Sequence, residues 1–433
     1  MNHHPRSARS NVRRLATGRL ISVTGGAAAY TALQFSVWET THSPGMQALS
    51  LLLTFGVAGI LGPFGGALGD RFDRRLVMVV SEAVAAVFFL AMAFVDATGL
   101  LIALAFGSAI AELPFFSASR AAIPNLIDDE SQLSWANSLV TIGAHAGIAV
   151  GPVLGGVLLA GVGASWVFAL NAVSFVISLV LTLTVRASFQ EEPSEVGSGE
   201  HEGLAAGIVF LWREPVLRRI SAAWLVFLLG IGVGMVADAP LADAFGAGPV
   251  GFALMITCWG TGSVAGSAAG RWMSPRSEPV WLVVGSLGIS LMAFAVGFAP
   301  AFALVLVSLF LMGTFDGLTI VAENGILQRR TPDAVRSRTM AAFESVLSFG
   351  LVVAYLLAGP ALEALGPKGV YRIGGVTALL ASLTLVPLLR LRRGDGGGRR
   401  GREASAADEP DEVAHRYTSA EELETAVPWR GLD

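Results

Sequence analysis

Lysine and cysteine are almost missing from this chain of 433 residues. The one lysine, Lys368, stands in LGPKGV. No phosphate loop of the form Gly-x-x-x-x-Gly-Lys-Ser/Thr can therefore be written, which excludes ATP hydrolysis by this chain as an energy source. The one cysteine, Cys258, excludes an intrachain disulfide and a cysteine-based metal site. His-Glu-x-x-His and Gly-x-Ser-x-Gly are also absent, so no enzyme, metal site or cofactor is expected. Charge is scarce, at 14% of residues, and the formal net charge of -4 says little because the acidic excess gathers in the last forty or so positions. Nothing points to a nucleic-acid partner.

Apolar residues fill the space, making up 53% of the chain at a mean hydropathy of +0.64, which is the composition of a membrane protein. A hydrocarbon core about 30 Å thick needs roughly 20 apolar residues per helical crossing. Twelve runs of that length are read near 19–38, 47–68, 76–95, 99–119, 135–160, 163–186, 218–238, 249–271, 280–299, 301–326, 338–360 and 369–390. They must be helices, since a segment in lipid satisfies its own backbone and barrel strands need only about ten residues. The fold class expected is all-α and integral to the membrane, in two six-helix halves.

Arginines cluster before span one (Arg6, Arg9, Arg13, Arg14, Arg19), between spans two and three, before span seven, after span eight, between spans ten and eleven, and after span twelve. With twelve spans all of these fall on one side. The positive-inside rule makes that side cytoplasmic and places both termini there. The organisation expected is a cytoplasmic segment 1–18, a first half 19–186, a linker 187–217 that is polar and then mildly amphipathic, a second half 218–391, and a disordered tail 392–433.

The halves read as a repeat. Asp129 and Asp333, in the loops after spans four and ten, are 204 residues apart, and the same offset carries Glu112 in span four onto Asp316 in span ten. An acid inside a membrane is costly and is a functional candidate by default. Glu112 and Asp316 are candidates for proton coupling or for recognising a cationic substrate. Glu323 lies nearer the end of span ten and Arg120 closes span four.

The stretch GGALGDRFDRR, with Gly66, Asp70, Arg71, Arg74 and Arg75, is similar to the G-x-x-x-D-x-x-G-R-R motif between spans two and three of the major facilitator superfamily, with Asp73 in place of the usual glycine. SASRAAIPNLI around Arg120 fits the same family. Gly147, Gly151, Pro152, Gly155 and Gly156 in span five resemble its G-x-x-x-G-P-x-x-G-G exporter pattern. The counterpart GSAAGRW from Gly266 keeps the glycines without the aspartate. With twelve spans and a central linker, the chain resembles this superfamily over residues 11–390, in the branch of enterobactin exporters and macrolide-efflux proteins.

The resemblance implies alternating access around a central site lined by spans four and ten. It also implies a cytoplasmic gate in which Asp70 faces span eleven, with Gly66, Arg71, Arg74, Arg75 and Glu344 around it. Four-residue glycine spacing in spans two, five, eight and eleven is read as smooth surface between the halves. The expectation is proton-coupled efflux of a small amphipathic molecule (drug, siderophore or secondary metabolite) by a monomer in the bacterial cytoplasmic membrane, its partners being substrate, protons and lipid. The alternatives are an uptake permease of the same fold and a non-transporting sensor or scaffold.

Overall fold

The computed structural model describes residues 5–57, 59–61, 72–127, 133–185, 189, 201–332 and 336–390. The calls on Gly66, Asp70 and Arg71, and on the tail from residue 392, lie outside them. The described residues are helical throughout. The first half contains α1 (Pro5–Thr41), α2 (Pro44–Leu51, running into a π-helical turn Leu52–Val57), α3 (Arg74–Met92), α4 (Thr98–Ala122), α5 (Leu133–Val162) and α6 (Ala164–Thr184). The second contains α7 (His201–Arg213), α8 (Pro215–Ala244), α9 (Gly248–Ala269), α10 (Glu278–Gly297), α11 (Phe302–Arg330) and α12 (Arg336–Leu385).

Eleven helical stretches among the described residues are long and apolar enough to cross a membrane. The last holds two crossings. At 1.5 Å per residue the 50 residues of α12 would extend about 75 Å, more than twice a hydrocarbon core. Gly366, at φ +64°, breaks the helix in a conformation that a side chain disfavours, and Pro367 restarts it. Both arms return to one level of α8: Gly232 there meets Ala354 of the first arm, and Gly230 meets Gly374 and Thr377 of the second. The chain therefore reverses at Gly366, and the expected twelve crossings are present as α1–α6, α8–α11 and the two arms of α12.

In the second half and the linker, two elements differ from the sequence reading. α8 continues to Ala244, six residues past the expected end. The linker contains α7, whose Leu211 is fully buried in one core with Leu217, Ile220 and Leu385, so this helix packs under the second half.

The face on which α1 begins, called here the terminal face, is tied together separately in each half. In the first half, Arg14 and Arg75 donate to the carbonyls of Thr184 and Val185 at the end of α6, and Asn125 Nδ2 and Arg74 Nη1 donate to the Phe189 carbonyl at 3.0 and 3.4 Å. The Arg14 and Arg75 donors satisfy carbonyls that a helix C-terminus leaves open, and arginine also suits its negative dipole end. In the second half Arg329 pairs with Glu278, and Arg330 lies 3.7 Å from Glu214, whose carboxylate caps α8 by accepting from the Leu217 amide at 2.6 Å.

On the opposite, far face the halves meet. Trp38 Nε1 donates to Asp243 Oδ2 at 3.1 Å, joining the ends of α1 and α8, and the rings of Phe35 and Phe252 lie 6.3 Å apart. A Cβ on Gly359 would stand 3.3 Å from Gly45 Cα, bringing α2 against α12.

Candidate functional site

A cavity of about 690 Å³ lies between the halves. Its wall is mostly alanine, leucine, isoleucine, methionine and aromatic residues, with a few polar groups set into it. Such a surface suits a molecule that is largely apolar with sparse polar ends. Four wall helices carry an internal proline: Pro114 in α4, Pro152 in α5, Pro240 in α8 and Pro360 in α12. Each lacks the amide that would bond four residues back.

The polar group of the first half is Arg19 with Glu112, both in the wall. Arg19 lies over the Phe116 ring at 4.4 Å and within 5.4 Å of Phe115, and its charge acts on both Glu112 and Glu82. Glu82, on α3, is 1% exposed and accepts a hydrogen bond from Ser178 of α6. One guanidinium on α1 thus acts on two carboxylates, the buried Glu82 of α3 and the half-buried Glu112 of α4. The sequence reading counted Arg19 among the terminal-face charges. The structure moves it inward because α1 is helical from Pro5, placing Arg19 about four turns along.

In the second half the cavity acid is Asp238 of α8, which accepts a hydrogen bond from the hydroxyl of Tyr371. Sequence reasoning passed over it, because Asp238 stood at the expected end of span seven, where an acid needs no explanation. Asp316 occupies the place on α11 that Glu112 holds on α4, but it takes a 3.4 Å hydrogen bond from Ser263 of α9 and is not among the residues lining the cavity. Glu323 is 5% exposed and accepts from Trp224 Nε1; the charges of Glu344 and Asp316 act on it. Glu344 is exposed on α12. Arg120 closes α4.

The profile of the Major Facilitator Superfamily matches residues 15–239 and again 231–430, one match to each half. The chain belongs to this superfamily. It is 25% identical over 385 residues to the enterobactin exporter EntS of Shigella boydii serotype 18, covering 87% of this chain and 91% of that one. Two solved structures share the fold. A POT family transporter in complex with a thioalcohol-conjugated peptide superposes with a TM-score of 0.72 at 12% identity, over 90% of this chain and 97% of its own. The nucleoside transporter NupG gives 0.70 at 14%, over 88% and 99%. The protein is a multi-pass membrane protein of the major facilitator type.

The superfamily motif after α2 is described only at its end. Asp73, where the family pattern has glycine, caps α3: its Oδ1 accepts from the Leu76 amide at 2.8 Å. Arg74 and Arg75 head that helix and turn toward the residues after α6, and Arg75 also lies 4.8 Å from the Phe189 ring. Glu82, two turns into the same helix, accepts from Ser178 and feels the charge of Arg19.

The glycine stripes correct a second expectation. Gly147, Gly151 and Gly155 of α5 face α1 in their own half, and a Cβ on Gly155 would stand 2.4 Å from the Ala28 carbonyl oxygen. Of the exporter-type set, Gly156 reaches across to Ala253 of α9, and Pro152 lines the cavity. Gly262 and Gly266 of α9 lie against Phe310 and Thr314 of α11, whose Gly313 and Gly317 lie in turn against Trp259 and Ser263 of α9, and Gly350 of α12 faces Leu225 and Leu228 of α8. A repeating small residue lets two helices approach but does not specify which neighbour. These stripes mainly build each half.

Proposed function

We propose that this protein is a proton-coupled exporter of a small amphipathic molecule, working by alternating access in a bacterial cytoplasmic membrane with its terminal face inward. The observation that carries the reading is the cavity between the halves, apolar over most of its wall, with Arg19 and Glu112 both in that wall and the charge of Arg19 acting on Glu112. A carboxylate in a low-dielectric wall that feels a guanidinium exchanges a proton or a ligand in response to that charge, which couples the two. Glu82 shares the same cation and gives the group a second carboxylate. The far-face contacts through Trp38, Phe35 and Gly359 support a cycle in which one face is held while the other admits substrate.

Export, as opposed to uptake, rests on similarity to the enterobactin exporter over most of both chains. The terminal-face orientation rests on the arginine clusters. The protein works as a monomer without a bound cofactor, using the proton gradient and exchanging with lipid, protons and one small substrate.

Accumulation of fluorescent amphipathic dyes in pump-deficient bacteria tests the reading. Lower accumulation with the protein than with empty vector, lost on adding a protonophore, supports it. Higher accumulation would reassign the protein to uptake.

A further inference from the structure

The second-half wall of the cavity carries a carboxylate that the coupling group does not use. Asp238 lines the cavity, and its Oδ1 accepts from the Tyr371 hydroxyl. The charged groups on neighbouring elements are engaged elsewhere. Lys368, one turn before Tyr371, and Arg372, directly after it, donate to the carbonyls of Ala299 at 2.9 Å and Gly297 at 2.8 Å, and lie 4.5 and 4.4 Å from the rings of Phe245 and Phe298. Asp243, further along α8, accepts from Trp38. On α1, the charge of Arg19 acts on Glu112 and Glu82. Among the described residues no ion pair includes Asp238.

A lone carboxylate in an apolar wall is costly unless a cation or a set of donors completes it. Tyr371 supplies one donor, itself held in place by being 5% exposed. The same cavity wall carries aromatic faces: Tyr30, set edge-on to Phe55 at 5.3 Å, and Trp259. Aromatic faces with a carboxylate are the surroundings in which an organic ammonium group is recognised.

We propose that Asp238, oriented by Tyr371, is the docking point for the protonated amine of a lipophilic ligand, whose apolar body lies against Tyr30, Phe55 and Trp259. The inference rests on the reading of this cavity as the site of the transported molecule, and it narrows the substrate class to amphipathic amines. Arg19 and Glu112 belong to the other half of the wall, so amine recognition and proton coupling use separate residues.

The test is equilibrium binding to the purified full-length protein in lipid nanodiscs, without any gradient, with empty discs subtracted. Quinacrine is the protonated lipophilic amine and N-phenyl-1-naphthylamine the uncharged probe. Asp238→Asn is expected to weaken quinacrine binding about tenfold while the uncharged probe stays within twofold. Asp238→Glu, which keeps the charge, retains most of the quinacrine affinity and guards against a folding defect. Three results would overturn the proposal: wild-type protein that does not bind quinacrine, Asp238→Asn with unchanged quinacrine affinity, or equal loss of both probes. Because no gradient is present, the proposal can fail while proton-driven export holds, and the reverse.

Discussion

Gly155 gives the sharpest test of how the first half is built. A Cβ there would lie 2.4 Å from the Ala28 carbonyl oxygen, 2.7 Å from Ala28 Cα and 2.9 Å from its carbonyl carbon. Every one of these atoms is backbone, so no side chain can swing aside, and ordinary contact is reached only if α1 retreats from α5 by about 1 Å. Overpacking of this kind costs about 1–3 kcal/mol. Gly260, in the middle of α9, has nothing within 4 Å of the same built atom. Gly260→Ala therefore keeps only the helix-propensity gain, about 1 kcal/mol in the opposite direction. Because the helix-propensity gain is common to both, the two alanine variants should differ by the overpacking cost, about 1–3 kcal/mol, with Gly155→Ala the less stable. Tryptophan-fluorescence melting in detergent reads the difference. Because α1 also carries Arg19 and Tyr30 into the cavity, Gly155→Ala should lower transport as well. Equal melting temperatures for the two variants would refute the close α1–α5 approach.

Two further substitutions probe the ends of the helices. Asp73→Ala removes the α3 cap and should cost about 1 kcal/mol, while Asp73→Asn, which can still accept from the Leu76 amide, should lie close to wild type; thermal melts of the pair check this. Leu211→Ala opens a hole between α7 and the second half, expected at about 2–5 kcal/mol, and should expose α7 to limited proteolysis at a temperature where wild-type α7 resists.

Much of the fold was legible because lipid leaves a chain few choices: a run of about 20 apolar residues without water must be a helix. The hairpin within α12 was visible as LGPKGV, a glycine and proline between two such runs. The linker helix was only half visible, since a mild amphipathic period does not say what Leu211 packs against. The site was harder to read. Glu112 announced itself as an acid far from either end of its span. Arg19 and Asp238 did not, because each sat where charge is ordinary and became a cavity residue only when its helix proved longer than its apolar stretch. The glycine stripes failed for a different reason. Spacing fixes one face of one helix, and the partner is decided by how six helices pack together.

The central claim is that Glu112, in the cavity wall with Arg19, couples proton movement to export. Everted membrane vesicles energised to an acid interior test it most directly, with quinacrine-free buffer and a fluorescent amphipathic dye as cargo. Wild-type protein should drive dye into the vesicles only while the proton gradient stands, and Glu112→Gln, expressed and folded to the same level, should abolish that gradient-driven movement. Undiminished gradient-driven uptake by Glu112→Gln would contradict the account.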